Sequence, residues 1–285
     1  MPAMDASSVG TVALWAAFLC AAGAIAVAAT PRSRDLSAPL ALGAAGGATA
    51  VATAVLTGAL LSGDFSLVYV ADTTSSSTPA PYRLAALWGA TEGSLLLLAT
   101  MMTVVGAVGS LVLWRQRSSL LRPATIVSAA VAGALLAAVA TLASPFTQLA
   151  IPAIDGRGLL AILRHPAMLI HPPLLYLGHT LLLVPFAATA AALVTKTLDE
   201  NWLRLVRRWL LLSWTILTLA MALGSMWAYV ELGWGGFWAW DAVENSALLP
   251  WLAITAFLHT SRIQERSGRL QRWNAALAMM PFVMT

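Results

Sequence analysis

Apolar runs of span length, separated by short polar breaks, organise this chain. A helix needs roughly 20 mostly apolar residues to cross a hydrocarbon core of about 30 Å. Seven stretches meet that requirement: 8–30, 36–61, 93–114, 123–144, 171–194, 209–230 and 242–260. An eighth begins at Trp273 and reaches Thr285 after 13 residues, too few to cross, with no polar residue closing it. The pattern predicts an all-α, polytopic membrane helix bundle with seven complete spans and the start of an eighth, a single transmembrane domain over 1–285 read as the N-terminal piece of something longer. The first span has no cationic stretch ahead of it and makes a poor signal peptide. Three connections are long enough to carry structure of their own: 62–92, 145–170 and the tryptophan-rich 227–251.

Composition supports the membrane assignment. Of 285 residues, 59% are hydrophobic and 10% charged, with a mean hydropathy of +0.80. A water-facing domain has about a quarter of its residues charged. So few charges do not cover a wet surface, and lipid must. The single cysteine, Cys20, lies in an apolar run, which excludes an internal disulfide, a thiolate cluster and a CxxC pair.

The cations are placed asymmetrically. Thirteen fall in one set of loops (Arg32, Arg34, Arg115, Arg117, Arg122, Lys196, Arg204, Arg207, Arg208, Arg262, Arg266, Arg269, Arg272) and three in the other (Arg83, Arg157, Arg164). By the positive-inside rule the first set is cytoplasmic, and the N-terminus and the three long connections lie outside. The pI near 9.8 therefore reflects topology and not a nucleic-acid surface. The run Asp72-Thr-Thr-Ser-Ser-Ser-Thr-Pro79-Ala-Pro81 reads as an exposed loop. Chemistry is expected on the outer side.

Five of the twelve tryptophans fall between Trp227 and Trp251. Trp234, Phe237, Trp238 and Trp240 crowd around Gly235 and Gly236, where missing Cβ atoms allow close approach. Such a cluster is a wide apolar wall with polar N–H edges, suited to a planar macrocycle such as a porphyrin. An aromatic belt is the plainer alternative, and its needs are exceeded here. Asp241 and Glu244 resemble a capping box, which is compatible with a ligand or partner contact. Pro250 is expected to kink its helix.

Four histidines are present, and ionisable groups at span edges are functional candidates by default. His171 opens the fifth span before Pro172-Pro173, level with the tryptophan loop, as a haem-iron ligand or a hydrogen-bonded helix start. His259 lies 18 residues after Asp241, about 27 Å lower along a regular helix, so one haem does not join it to His171. It marks a second site or an interfacial residue. His179 reads as a satisfied core histidine and His165 as solvated.

With those residues in view, the sequence resembles the CcmF family, the haem-lyase subunit of bacterial cytochrome c maturation (system I). The likeness rests on Asp64-Phe-Ser-Leu-Val-Tyr-Val70, Trp88-Gly-Ala-Thr-Glu-Gly-Ser94, His171-Pro-Pro-Leu-Leu-Tyr176, Gly224-Ser-Met-Trp-Ala-Tyr229 and above all Trp234-Gly-Gly-Phe-Trp-Ala-Trp-Asp-Ala-Val-Glu-Asn245, the WWD signature of haem-handling proteins. Phe237 and Ala242 depart from the usual Trp and Pro, and Thr91 stands where His or Gln is frequent. The resemblance implies that His171 ligates incoming haem beside the WWD loop, and that His259 is one ligand of a structural haem b in the membrane. Each second ligand would lie beyond Thr285. It further implies haem delivery by the carrier CcmE, thiol reduction by CcmH/CcmG-type proteins, apocytochrome c as acceptor and quinol as electron source. A haem transporter or delivery protein of the CcmC type, without ligation activity, is the rival reading. A quinol-binding or structural membrane subunit is a third.

Overall fold

The computed structural model describes residues 5–30 and 36–285; Arg32 and Arg34 lie outside the described residues. Eleven helices carry the chain: α1 (Ala6–Ala29), α2 (Ser37–Ser62), α3 (Val68–Thr73), α4 (Ala80–Ala85), α5 (Thr91–Arg115), α6 (Leu121–Leu142), α7 (His171–Thr180), α8 (Leu183–Thr195), α9 (Glu200–Glu231), α10 (Ala242–Ser267) and α11 (Gln271–Val283). Among the described residues there is no strand, only one isolated antiparallel bridge, Leu67 to Gln148. Six segments are long and apolar enough to cross a membrane: α1, α2, α5, α6, Pro166–Thr195 and α9. α10 has the length, 26 residues, but its Glu, Asn, Gln and Arg residues keep it below the apolarity of the six. The seventh and eighth spans expected from the sequence correspond to α10 and the 13-residue α11.

The fifth expected span is two helices. Pro185 has no N–H to give to Leu181, and its ring crowds that carbonyl. The chain turns there through Leu181–Leu182, between α7 and α8. α10, by contrast, runs unbroken through Pro250.

Helix pairs are held by small residues and hydroxyls, as expected where no hydrophobic force acts between helices. Thr49 and Thr53 of α2 bond Thr103 and Thr100 of α5 at 3.1 and 2.8 Å, and Thr125 of α6 bonds Ser110 of α5 at 3.0 Å. A Cβ on Gly109 would stand 2.6 Å from Val184, and one on Gly178 2.6 Å from Leu217. α1, α2, α5 and α6 share one apolar core; α7 to α11 build a second around the fully buried Trp202. Large apolar side chains such as Leu19, Leu40, Val51 and Val194 face outward, the surface that lipid covers. The protein is a multi-pass membrane protein.

Its two ends differ. Arg83, Arg157 and Arg164 lie at the end formed by the connections 62–92 and 145–170 and the tryptophan segment. The other eleven described cations cluster at the opposite end. At the cation-poor end the polar run expected to be an exposed loop is exposed at Asp72, Ser76, Ser77, Pro79, Ala80 and Pro81, while Thr73, Thr74, Ser75 and Thr78 are turned inward, each less than a tenth exposed. The reason is local. Thr73 and Thr74 donate back to the carbonyls of Tyr69 and Val70, and Ser75 pairs with Thr78. Arg83 donates to the carbonyls of Leu61, Ser76 and Thr78. Val68 N–H to Thr147 O and Leu149 N–H to Ser66 O then join this segment to 145–170. Indole N–H groups add two struts, Trp88 to Met168 O and Trp227 to Ile162 O.

Asp155 closes the cap by accepting from the Ser76 hydroxyl and from the N–H groups of Ser76 and Gly156. These bonds, the Ser76 hydroxyl first, hold its carboxyl below the ordinary value. A depressed folded value means that the stabilisation is present above the ordinary carboxylate range, about 4, and is lost as pH falls through the lower folded value. Hydrogen-exchange protection of the Ser76 amide, corrected for intrinsic rate, should therefore fall with pH below about 4. In Asp155→Asn it should be low at every pH. Equal protection in both proteins would refute the carboxylate's role.

Candidate functional site

The tryptophan segment folds because α9 ends and α10 begins within a few residues of each other, and their termini must be capped. Asp241 is the N-cap of α10, accepting from Glu244 N–H at 2.7 Å. Glu244 reaches one residue further back than a capping box requires. Its Oε2 accepts from the N–H groups of Ala239 and Trp240 at 2.7 and 2.8 Å, while Asn245 donates to Trp240 O at 3.1 Å. Trp240 is thus held from both sides of its peptide in the left-handed region, at φ 61°, where a bulky side chain is rare. Asn245 carries no signal of its own in the sequence; its part shows only once the turn is closed. Gly235, at φ 70°, is required by backbone conformation, and a Cβ there would meet nothing within 4 Å.

The aromatics split into two groups. Trp234 and Trp238 line a cleft of about 510 Å3 including its open mouth, shared with His171, Asp241 and Glu244. Trp234 is folded over its own turn, donating to Gly236 O at 2.9 Å. Phe237 instead stacks on Tyr229, centroids 4.4 Å apart and 11° between planes. Trp240 stands edge-on to Trp238 at 6.1 Å and is 71% exposed. The wall expected from the sequence is therefore built by three indoles, Trp234 and Trp238 with Trp227 of α9; Phe237, Trp240 and the two glycines shape the turn.

His171 completes the cleft from below. It opens α7, whose first turn accommodates Pro172 and Pro173 because those N–H groups have no helical partner. Its Nδ1 lies 2.8 Å from Ala220 O on α9. A carbonyl only accepts, so Nδ1 carries the proton and donates, leaving the Nε2 lone pair of the neutral ring without a protein partner. Gly224 makes this possible: a Cβ there would fall 2.6 Å from His171 Cε1. The sequence shows Gly224 only as part of a matching stretch; its contact with the imidazole exists only once α7 and α9 pack. Trp238 contributes a second open valence, a buried indole Nε1 with no hydrogen-bond partner among the described residues. A haem fits this donor set: one imidazole nitrogen fixed by a carbonyl behind it, as metal-ligating histidines are, and one indole N–H for an acidic group.

His259 is elsewhere. α10 is continuous from Ala242, so the residue lies about 27 Å along the helix from Asp241 and is exposed on its face. Its Nδ1–H is donated to Thr255 O at 2.8 Å, which again presents Nε2. For a resident haem b the described residues supply this one imidazole. His179 is a core residue but is not satisfied: its Nε2 is buried without a partner among the described residues. His165 caps a short turn, its Nδ1 accepting from Ala167 N–H at 3.1 Å.

Similarity to known proteins points the same way. The family model described as cytochrome C assembly protein matches residues 88–285. The cytochrome c-type biogenesis protein NrfE of Escherichia coli is 41% identical over 228 residues, covering 79% of this chain and 41% of that protein. CcmF of the same organism is 40% identical over 229 residues, covering 79% and 35%, and CycK of Bradyrhizobium diazoefficiens is 37% identical over 225 residues, covering 79% and 34%. A solved structure of the cytochrome c haem lyase CcmF superposes with a TM-score of 0.85 at 32% identity, covering all of this chain and 46% of that one. The chain thus spans between a third and a half of the length of these relatives. Its helices, its haem-compatible cleft and the match across 88–285 together establish that the chain belongs to the cytochrome c assembly protein family.

Proposed function

We propose that this chain presents haem at the outer face of a bacterial inner membrane for attachment to apocytochrome c, as the haem-binding part of a cytochrome c haem lyase of the CcmF type. The observation that supports this reading best is the His171 imidazole, locked by Ala220 O and Gly224 with Nε2 free, in one cleft with Trp234 and the orphan N–H of Trp238. The positive-inside bias sets the cleft outside, where a carrier such as CcmE and an apocytochrome thiol pair kept reduced by CcmH/CcmG-type proteins would meet it. Seven spans, counting α10, bring His171 and the tryptophan segment to that side, with α11 starting an eighth.

Haem supplies the reactive groups: two vinyls, across which the thiols of a Cys-x-x-Cys-His motif add, S–H to C=C, with no net redox change. The chain's residues bind and orient. Trp234 and Trp238 would cover a porphyrin face, the His171 Nε2 would hold the iron, and the Trp238 N–H would anchor an acidic edge. Glu244, Asp241 and Asn245 keep the turn closed. His259 would hold a second, resident haem b by its Nε2, a group that would supply electron transfer from quinol.

Spectra of haem-loaded protein test the assignment. His171→Ala should lose the externally loaded haem while His259→Ala retains it; equal loss from both, in folded protein, would sink the two-site reading. Reconstitution with apocytochrome should yield covalent haem, whereas loading without a thioether product would leave a delivery protein of the CcmC type. Gly224→Ala, which pushes the ring off Ala220 O, should weaken haem retention about five- to tenfold, the loss of roughly one hydrogen bond of 1 kcal/mol or slightly more. Unchanged affinity in that variant would show that the imidazole does not need its seat on α9.

A further inference from the structure

The cation-rich end holds a second cavity, distant from the haem cleft, of about 1590 Å3 including its open mouth. It lies between the α5–α6 turn and the start of α9. Arg117, Arg204 and Arg208 line it together with Ser118, Ser119 and Asn201, over a floor of Leu113, Leu120, Leu205 and the fully buried Trp202. The one acid in the lining, Asp199, is occupied as the N-cap of α9, accepting from Trp202 N–H at 2.8 Å. Among the described residues none of the three guanidinium groups has an acidic partner. Arg204 donates only to Asn201 Oδ1 at 2.7 Å. Arg207, between them in sequence, is tied instead to Glu265 of α10 at 2.6 Å. Three unneutralised cations converging on one polar cavity are an anion site by charge complementarity.

The depth of the cavity says which anion. α9 has 32 residues and is about 48 Å long, against a hydrocarbon core of about 30 Å. With Glu231 at one boundary, the other falls roughly 20 residues back, near Trp209. Arg204 and Arg208 then sit in the headgroup layer, and Trp209 sits at the boundary that indoles favour. The cavity reaches Trp209 and Val112, and one turn deeper on α5 Val108 is 44% exposed, an apolar surface below the cavity.

We infer that this cavity is a binding site for one anionic phospholipid, its phosphate held by Arg117, Arg204 and Arg208 and an acyl chain running along α5. Basic pockets between spans on the cytoplasmic side suit such headgroups, and a phosphate takes bidentate contacts from guanidinium groups. The site braces the far end of α9, the helix that seats His171.

Native mass spectrometry of the purified chain, with phosphatidylglycerol, phosphatidylcholine or inorganic phosphate added, tests this. One phosphatidylglycerol per chain should survive delipidation, and the triple variant R117Q/R204Q/R208Q should retain it at least tenfold less. R262Q/R266Q/R269Q, which removes the same charge from the same end, should retain it as the parent does, while the charge-preserving R204K/R208K, which loses the bidentate contacts, should fall between the parent and the R117Q/R204Q/R208Q variant. Helical content by circular dichroism checks folding of each. Equal loss in the two glutamine triples would reduce the effect to general attraction, and equal retention of phosphatidylcholine would make it ordinary boundary lipid. Displacement by millimolar phosphate would make the site one for a free anion. Each of those results overturns the proposal.

Discussion

In hydrocarbon a backbone N–H or C=O without a partner costs several kcal/mol, so a chain buried there must pair these groups within itself. That constraint organises this molecule. Helices occupy the membrane and, apart from the buried Leu181–Leu182 turn between α7 and α8, irregular backbone among the described residues lies at the two ends. The connections 62–92 and 145–170 are bonded to one another at Val68–Thr147 and Leu149–Ser66 and tied to the bundle through Trp88 and Trp227. The cleft forms against this stiff cap, between the end of α9 and the start of α10.

The same constraint explains how the two candidate histidines are held. A polar ring in an apolar bundle needs an acceptor for its N–H, and both take a helix carbonyl, Ala220 O on the neighbouring helix and Thr255 O on its own. Below the cleft, α9 and α10 are braced by indole-to-hydroxyl pairs: Trp214 donates to Thr255 and Trp251 to Thr218, at 2.9 and 2.8 Å. The two rings stack at 5.4 Å. Thr255 thus serves the helix pair through its hydroxyl and His259 through its carbonyl, so the seats of the two histidines rest on one packed interface.

Much of this was legible in the residue order. Run length located the long helices within a few residues, except at the start of α9 and the end of α10, where Arg204, Arg207 and Arg208 and then Arg262, Glu265 and Arg266 interrupt the apolar pattern but not the helix. The break before Pro185 was legible in principle, since the missing N–H is a property of proline. The Ser/Thr/Pro run is exposed at six of its ten positions, but composition does not show that the hydroxyls of Thr73 and Thr74 will turn back onto carbonyls one turn earlier. Within the site, His171, Trp234, Trp238, Asp241 and Glu244 were found by residue type and spacing and do come together. Phe237 and Trp240 were chosen by the same aromatic density, yet the φ of 61° at Trp240 and the stacking of Phe237 on Tyr229 turn both away from the cleft.

What the order of residues determined by itself is membrane residence, an all-helical architecture and which segments share an end, because these follow from local hydropathy and from where charges are counted. What only the folded bundle decided is which atoms face one another. Gly224 becomes a seat for an imidazole, and Asn245 a clasp on Trp240, only after α7, α9 and α10 are packed. Those contacts join residues up to 53 positions apart, and no local pattern encodes the distance between two such atoms.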